Sequence, residues 1–266
     1  MIQTSLLMDH KIAQALDRIK AFEPPEGYYV ATSYGKDSMV VQTLVEWSGV
    51  KADFHFQITG LDAPELIRFA KSVRKENHYW HKPEKTLWKL IVEKMMPPTR
   101  LVRYCCEELK ERGGDNRIVV TGIRWEESNK RRSRKMVESC IKSRTKRYLH
   151  PIIDWSTHEV WEFIHANNVP YCSLYDEGFD RIGCIGCPMA GKKRLREFER
   201  WPGFERRYRA AMAAAAAANL AALGPEYGGR GRNAKLRWAN GDDMFRWWIE
   251  ETSHGKEDEA QCVLFE

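Results

Sequence analysis

Two sets of residues in this chain have the types and spacing that chemistry needs. The first is Ser33-Tyr34-Gly35-Lys36-Asp37-Ser38. It follows the apolar run Tyr28-Tyr29-Val30, which reads as a strand. It precedes Met39, Val40, Val41, Leu44, Val45 and Trp47, which share the inner face of a helix. A strand, a short Ser/Gly loop and a helix make an anion site. The N–H groups at the helix start lack partners, and the helix dipole adds partial positive charge. Ser33, Gly35, Lys36 and Ser38 are the expected phosphate contacts: two hydroxyls, a cation, and a glycine free to approach closely or take positive φ. A carboxylate at Asp37 beside a phosphate calls for a magnesium ion between them. The alternative is a polar turn without a ligand, since Gly, Ser and Asp are ordinary turn residues. The stretch is not a Walker A loop, because G-x-x-x-x-G-K-[ST] is absent.

The second set is the cysteines, seven in all: 105, 106, 140, 172, 184, 187 and 262. An odd number in a chain of this kind points to metal or redox chemistry rather than a disulfide framework. Cys184-x-x-Cys187, flanked by glycines and followed by Pro188, lets one turn present two sulfurs to one centre. Alone it is equally a redox pair or half of a zinc site. Cys105-Cys106 can complete a set of four. Adjacent thiolates are strained on a single ion, whereas a [4Fe–4S] cubane takes them on different irons; burial as small apolar residues is the alternative.

A third stretch carries charge. From Arg124 to Arg147 there are ten Lys/Arg among 24 residues, against three Glu. A solvated face is the usual meaning of such a run. Here it follows a strand end, so anion binding is expected. No regular aromatic interleaving marks a single-strand stacking platform.

These residues need elements to position them. Residues 5–21 read as an amphipathic helix, with further helices over 64–76 and 86–95 and another started by the capping box Ser156-Thr157-His158-Glu159. Strands are expected at Asp53–Ile58, His78–His81, Ile118–Ile123 and Leu149–Trp155. Ser48-Gly49 stops the helix after the first loop. Asp62 is a candidate cap for the next one, with Pro64 in its first turn and Glu65 completing a box. The other role for Asp62 is at the ligand, since its loop leaves the carboxyl end of a strand. From about Lys192 the chain reads as helical. The alanine run Ala213–Ala218 specifies no packing face, and Met244, Trp247 and Trp248 form the core face of a Trp-rich helix.

The alternation of strands and helices predicts an α/β fold: a doubly wound, mainly parallel sheet with helices on both faces and the site at the carboxyl ends of the strands. Residues 1–191 are expected to form the nucleotide-binding domain and 192–266 a C-terminal helical extension. The chain has 266 residues and a net charge of +6, which suits anionic ligands without separating nucleotides from nucleic acid. No apolar run approaches the ~20 residues that a membrane helix needs. With no signal-peptide core at the start, the expected location is the cytoplasm.

The loop at 33–38 resembles the PP-loop signature S-G-G-K-D-S of ATP pyrophosphatases and of the phosphoadenosine-phosphosulfate (PAPS) reductase family. Tyr34 stands where the second glycine usually lies. Leu61-Asp62, Cys105-Cys106 with Leu109-Lys110, Gly122-Ile123-Arg124 with Glu127-Ser128, Pro151–Trp155, Val160-Trp161, Pro170-Tyr171, Leu174-Tyr175-Asp176 and Ile182-Gly183-Cys184-x-x-Cys187 follow in that family's order, over roughly 28–190. The paired cysteines are similar to those of its iron–sulfur branch, the bacterial adenylylsulfate reductases. The resemblance implies an adenine-nucleotide site that includes Asp62, Gly122 and Arg124. It also implies a [4Fe–4S] cluster on Cys105, Cys106, Cys184 and Cys187.

Two departures qualify it. Sulfonucleotide reductases carry a nucleophilic cysteine in a C-terminal Glu-Cys-Gly-[Ile/Leu]-His motif, and this tail has Gln261-Cys262-Val263-Leu264. Cys172 replaces the usual Asn of Pro-Tyr-Asn-Pro-Leu-Tyr; it is an alternative ligand, a sulfur carrier or a buried residue. That pattern is similar to the ATP pyrophosphatase of DNA phosphorothioation. Three functions are therefore expected in competition. One is ATP activation for sulfur transfer to a nucleic acid or small acceptor, using Lys36, Asp37, Arg124 and Mg2+. Another is thioredoxin-dependent reduction of adenylyl sulfate or PAPS, with Cys262 as nucleophile. The third is a non-catalytic nucleotide- or DNA-binding regulator. Oligomeric state is not legible.

Overall fold

The computed structural model describes residues 6–140, 145–223 and 238–254. The chain begins with α1 (Leu6–Ala21), β1 (Tyr28–Thr32), α2 (Lys36–Ser48), β2 (Ala52–Gln57), α3 (Pro64–Val73), β3 (His78–His81) and α4 (Leu87–Lys94). It continues with α5 (Tyr104–Leu109), β4 (Ile118–Val120), α6 (Asn129–Arg132), β5 (Val137–Ser139), β6 (Arg147–Leu149) and α7 (Thr157–Ala166). The described part ends with α8 (Lys193–Arg200), α9 (Pro202–Leu223) and α10 (Gly241–His254).

The six strands form one sheet in the order β3-β2-β1-β4-β6-β5. All neighbours are parallel except β5 against β6. β1 is central. Its Val30 stands opposite Phe54 of β2 on one side and Val120 of β4 on the other. The next strand in sequence lies on one side of β1, and β4, reached later, lies on the other. This reversal makes the carboxyl ends of β1 and β4 a topological switch point, where open α/β sheets bind ligands. The expected α/β, mainly parallel fold is the one observed.

Local sequence explains the elements nearest the site. α2 buries Met39, Val40, Val41, Leu44 and Val45. It ends at Gly49, whose φ of +72° is the left-handed stop that glycine takes without strain. α7 starts with the expected box: Ser156 Oγ accepts from Glu159 N–H at 3.1 Å, and Glu159 returns a bond to Ser156 N–H at 2.6 Å. α1 is tied across the fold by Arg18, which meets Asp154 at 2.6 Å and the Pro151 carbonyl at 2.8 Å.

Some elements differ from expectation. Leu149–Trp155 is not one strand: β6 ends at Leu149, and Pro151, which cannot donate to a ladder, starts a turn. β5, too short and polar to show period-2 alternation, was not foreseen. α3 begins with Ala63 as its cap residue and no side-chain cap, so Asp62 does not cap it. The alanine run does acquire a packing face. Ala211, Met212, Ala215 and Ala216 are buried, and a Cβ at Gly241 would run into the backbone of Ala213. Met244 and Trp248 of α10 are fully buried, and Trp248 Nε1–H donates to the Pro98 carbonyl at 2.7 Å. Tyr208, Met212 and Trp248 belong to the same buried cluster as Leu87, Leu90 and Ile91 of α4. Among the described residues, no helix is long and apolar enough to cross a membrane.

Candidate nucleotide and thiol site

β1 ends at Thr32, and the chain turns through residues 33–35 into α2. The turn is held from within. Ser33 N–H donates to Ser38 Oγ at 3.3 Å, Gly35 N–H to Ser33 Oγ at 3.4 Å, and Ser38 Oγ–H to the Gly35 carbonyl at 2.9 Å. The left-handed residue is Tyr34, with φ of +55°, whereas Gly35 has φ of −76°. A side chain in that region costs about 1–2 kcal/mol. Burial holds it there. The Tyr34 ring is fully buried, with its hydroxyl 3.1 Å from His78 Nδ1 and accepting from Trp80 Nε1–H at 3.2 Å. The position that resembles a glycine of the PP-loop is thus an anchor tying the loop to β3.

The charges of the loop are paired across the switch point. Arg124, which follows β4, is only 2% exposed, and its Nε–H donates to Asp37 Oδ1 at 2.7 Å. Lys36 Nζ donates to the other oxygen, Asp37 Oδ2, at 3.2 Å. Arg124 also meets a Glu126 carboxylate oxygen at 3.1 Å, the Trp155 carbonyl at 3.1 Å and the Thr157 hydroxyl at 3.3 Å. Both Asp37 oxygens thus meet cations, and Asp37 holds Lys36 and Arg124 together at the start of α2. Gly122 is where the exit of β4 passes the loop: a Cβ there would lie 3.0 Å from the Asp37 carbonyl carbon and oxygen.

The first amide of α2 is already engaged. Lys36 N–H donates to Tyr175 Oη at 2.8 Å, and Lys36 Nζ reaches the Asp180 carbonyl at 3.4 Å. Tyr175 sits in a single 3-10 turn, Ser173–Tyr175. Burial pushes its phenol pKa up, so it stays protonated at neutral pH.

The same segment leads to the thiols. Cys105, Cys106, Cys184 and Cys187 line one cavity of about 250 Å3, with Lys110, Arg103, Glu197 and Tyr208. α5 presents Cys105 and Cys106, whose thiols share a hydrogen bond. That bond, with Lys110 and Arg103 beside it, pushes Cys106 down to about 6, while Cys105 is raised. Arg103 Nη2 lies 3.0 Å from Cys106 Sγ. Lys110 is raised by the thiols, Cys184 foremost. Among the described residues, no three His, Cys, Asp or Glu side chains stand close enough to hold a single metal ion. A zinc ion needs every sulfur at about 2.3 Å. A cubane spreads four thiolates over four irons. Four thiols beside the partly buried cations Lys110 and Arg103 are donors of the type that thiolate-held metal groups use.

Asp62 joins the two halves by its backbone rather than by capping. It bridges Cys184 as an isolated antiparallel pair, and Ile185 N–H donates to the Leu61 carbonyl at 2.8 Å. Its carboxylate accepts from Thr59 N–H at 2.8 Å, and burial raises its pKa despite Lys110 nearby. Asp62 therefore faces the cysteine side.

Residues 27–190 match the model of the phosphoadenosine phosphosulfate reductase domain. The chain belongs to this family. An uncharacterized protein of Methanocaldococcus jannaschii is 32% identical over 201 residues, which is 67% of this chain and 41% of that protein. An adenosine 5'-phosphosulfate reductase of Neisseria meningitidis is 38% identical over 106 residues, 37% of this chain and 43% of that enzyme. The chain thus spans less than half the length of these curated relatives. The crystal structure of a PAPS reductase from Candida auris, in a phosphate complex, superposes with a TM-score of 0.50 at 19% identity, covering 69% of this chain and 97% of that one. That likeness shows the fold.

Within the family frame, the remaining candidates separate. Cys172 is 1% exposed and packed in the main core, and it does not line the thiol cavity. Cys262 lies outside the described residues. The basic run is not one open face. Arg124, Arg131, Arg134 and Lys146 each meet a carboxylate, and Arg132, Lys135 and Arg147 are exposed. Lys142 and Arg144 lie outside the described residues. Arg103 is a contributor that the sequence reading did not single out, and Lys110 and Tyr175 stood there only within matched segments, with no role assigned. Tyr175 lies 139 residues from the amide it meets, so its contact has no local signal.

Proposed function

We propose that the protein is an adenine-nucleotide enzyme of sulfur metabolism that activates ATP for sulfur transfer. The observation that carries this reading is the pair of cations, Lys36 and buried Arg124, locked by Asp37 over the start of α2. The amides of Lys36, Asp37 and Ser38 and the hydroxyls of Ser33 and Ser38 would take phosphate oxygens. An acceptor oxygen attacks the α-phosphorus. The bond to the bridging oxygen breaks, and pyrophosphate leaves with the electron pair. Lys36, Arg124 and the helix amides stabilise the charge that builds on the phosphates. Arg124 is held by Asp37 before the substrate arrives, so it needs little reorganisation. Magnesium would arrive with ATP as part of the substrate.

Cys105, Cys106, Cys184 and Cys187 would hold a [4Fe–4S] cluster, which would supply a centre for binding or relaying sulfur. Lys110 and Arg103 would offset its negative charge. The exposed cations Arg132, Lys135 and Arg147 would face a nucleic-acid acceptor.

The named relatives favour a second reading, in which the loop binds adenylyl sulfate or PAPS, Cys262 attacks sulfur and a thioredoxin-like protein reduces the enzyme. Anaerobically purified protein, assayed for pyrophosphate from ATP and for sulfite from both sulfonucleotides, separates the two. The first reading expects pyrophosphate without sulfite, unchanged by Cys262→Ser. Sulfite that disappears in Cys262→Ser would replace it with the second.

A further inference from the structure

The Tyr175 hydroxyl occupies the amide that a phosphate should use. Lys36 N–H is the first free donor of α2, and it is spent on a neutral phenol oxygen at 2.8 Å. The fit is close on the other side too, since a Cβ at Gly35 would lie 3.3 Å from the same oxygen. Lys36 holds the segment a second time, through Nζ to the Asp180 carbonyl. Tyr175 and Asp180 therefore tether residues 173–180 to the loop by two bonds from one lysine.

The segment continues directly into the thiol cavity. Arg181, Gly183, Cys184 and Cys187 all line it. Within the segment, Gly178 N–H donates to the Tyr175 carbonyl at 3.1 Å and Phe179 N–H to the Leu174 carbonyl at 3.1 Å, so the turn is bonded to itself. Cys184 is pinned on its far side by the bridge to Asp62.

We infer that Tyr175 is a positioning residue that couples phosphate occupancy of the 33–38 loop to the loop carrying Cys184 and Cys187. This rests on the loop being a nucleotide site, as proposed above. A charged phosphate oxygen is a stronger acceptor than a neutral phenol. It takes the Lys36 amide and draws Lys36 Nζ from the Asp180 carbonyl, and both tethers release together. The hydroxyl marks the place of a phosphate oxygen, and its departure reports occupancy to the cysteine loop.

The test is hydrogen exchange of peptides covering 176–187 in the complete protein, with and without inorganic pyrophosphate, alongside calorimetric binding of pyrophosphate. In wild type, pyrophosphate raises exchange in these peptides. Tyr175→Phe shows the raised exchange without ligand. It binds pyrophosphate about three- to tenfold more tightly, because no hydroxyl hydrogen bond must first be broken. Tyr171→Phe, which removes a hydroxyl bonded to Asp176 in the same aromatic group, changes neither readout. Unaltered exchange in wild type with pyrophosphate bound overturns the coupling, as does weaker binding by Tyr175→Phe. Absence of binding of both pyrophosphate and ATP to wild type brings down the nucleotide reading and the coupling together. If Tyr175→Phe does not fold, the wild-type comparison alone decides.

Discussion

Arg124 Nε and Asp37 Oδ1 stand 2.7 Å apart, joining two loops 87 residues apart in sequence across the gap between β1 and β4. The arginine is nearly sealed from water, so its donors need protein acceptors, and that carboxylate is one of them. Asp37→Ala should cost about 1–3 kcal/mol in urea unfolding, because a buried charged donor loses its partner. It should also abolish pyrophosphate release, since Lys36 and Arg124 lose their common anchor. Arg124→Gln should lose the activity while keeping more of the stability, as glutamine leaves no buried charge behind.

Gly122 tests how tightly the two strand ends must meet. Its missing Cβ leaves room for the Asp37 backbone, and the contact would be with main chain, which cannot swing aside. Gly122→Ala should lower stability by about 1–3 kcal/mol through overpacking. Calorimetry should show weaker ATP binding, as α2 is pushed off the site.

The four cavity cysteines and Cys172 should behave differently. If the four hold the proposed cluster, anaerobically purified wild type should carry iron and iron–sulfur absorbance, and serine at Cys105, Cys106, Cys184 or Cys187 should remove both. Cys172→Ser should retain iron stoichiometry and lose about 1–3 kcal/mol of stability, from placing a hydroxyl in an apolar core.

Asp154 makes stability depend on acid. Burial raises its pKa, but the Arg18 hydrogen bond and the charges of Arg18 and Lys11 outweigh that, and the net shift is downward. A carboxylate depressed in the fold stabilises it above the unfolded value, near pH 4, and that contribution fades as pH falls further. Asp154→Asn should cost about 1 kcal/mol at neutral pH. The gap to wild type should close as pH falls through the depressed value of Asp154, below the unfolded one, as read by urea unfolding across pH.

Much of the architecture was legible because its signals are local. The apolar faces of β1 and α2, the box at Ser156 and the stop at Gly49 each follow from neighbouring residues. The candidate phosphate loop and the C-x-x-C pair were visible for the same reason. What stayed hidden depends on distant contacts. Nothing near Asp37 reveals that Arg124 will take its oxygen. The left-handed backbone fell on Tyr34 rather than Gly35 because the Tyr34 ring is held by His78 and Trp80 on β3. Asp62 reads as a cap, yet its carboxylate bonds back to Thr59 N–H, a competing local choice for Asp. The ten-cation run looked uniform, but folding brings Asp37 to Arg124 and Asp115 to Lys146, while Arg131 and Arg134 pair with Glu127 and Glu138 inside the run itself.

The central claim is that the loop at 33–38 holds nucleotide phosphates, and calorimetric titration with ATP tests it most directly. Wild-type protein should bind ATP at one site per chain. Lys36→Ala should weaken that binding by about tenfold or more, the worth of a charge-assisted hydrogen bond. Equal affinity in the two proteins would contradict the account, as would no binding of ATP to wild type.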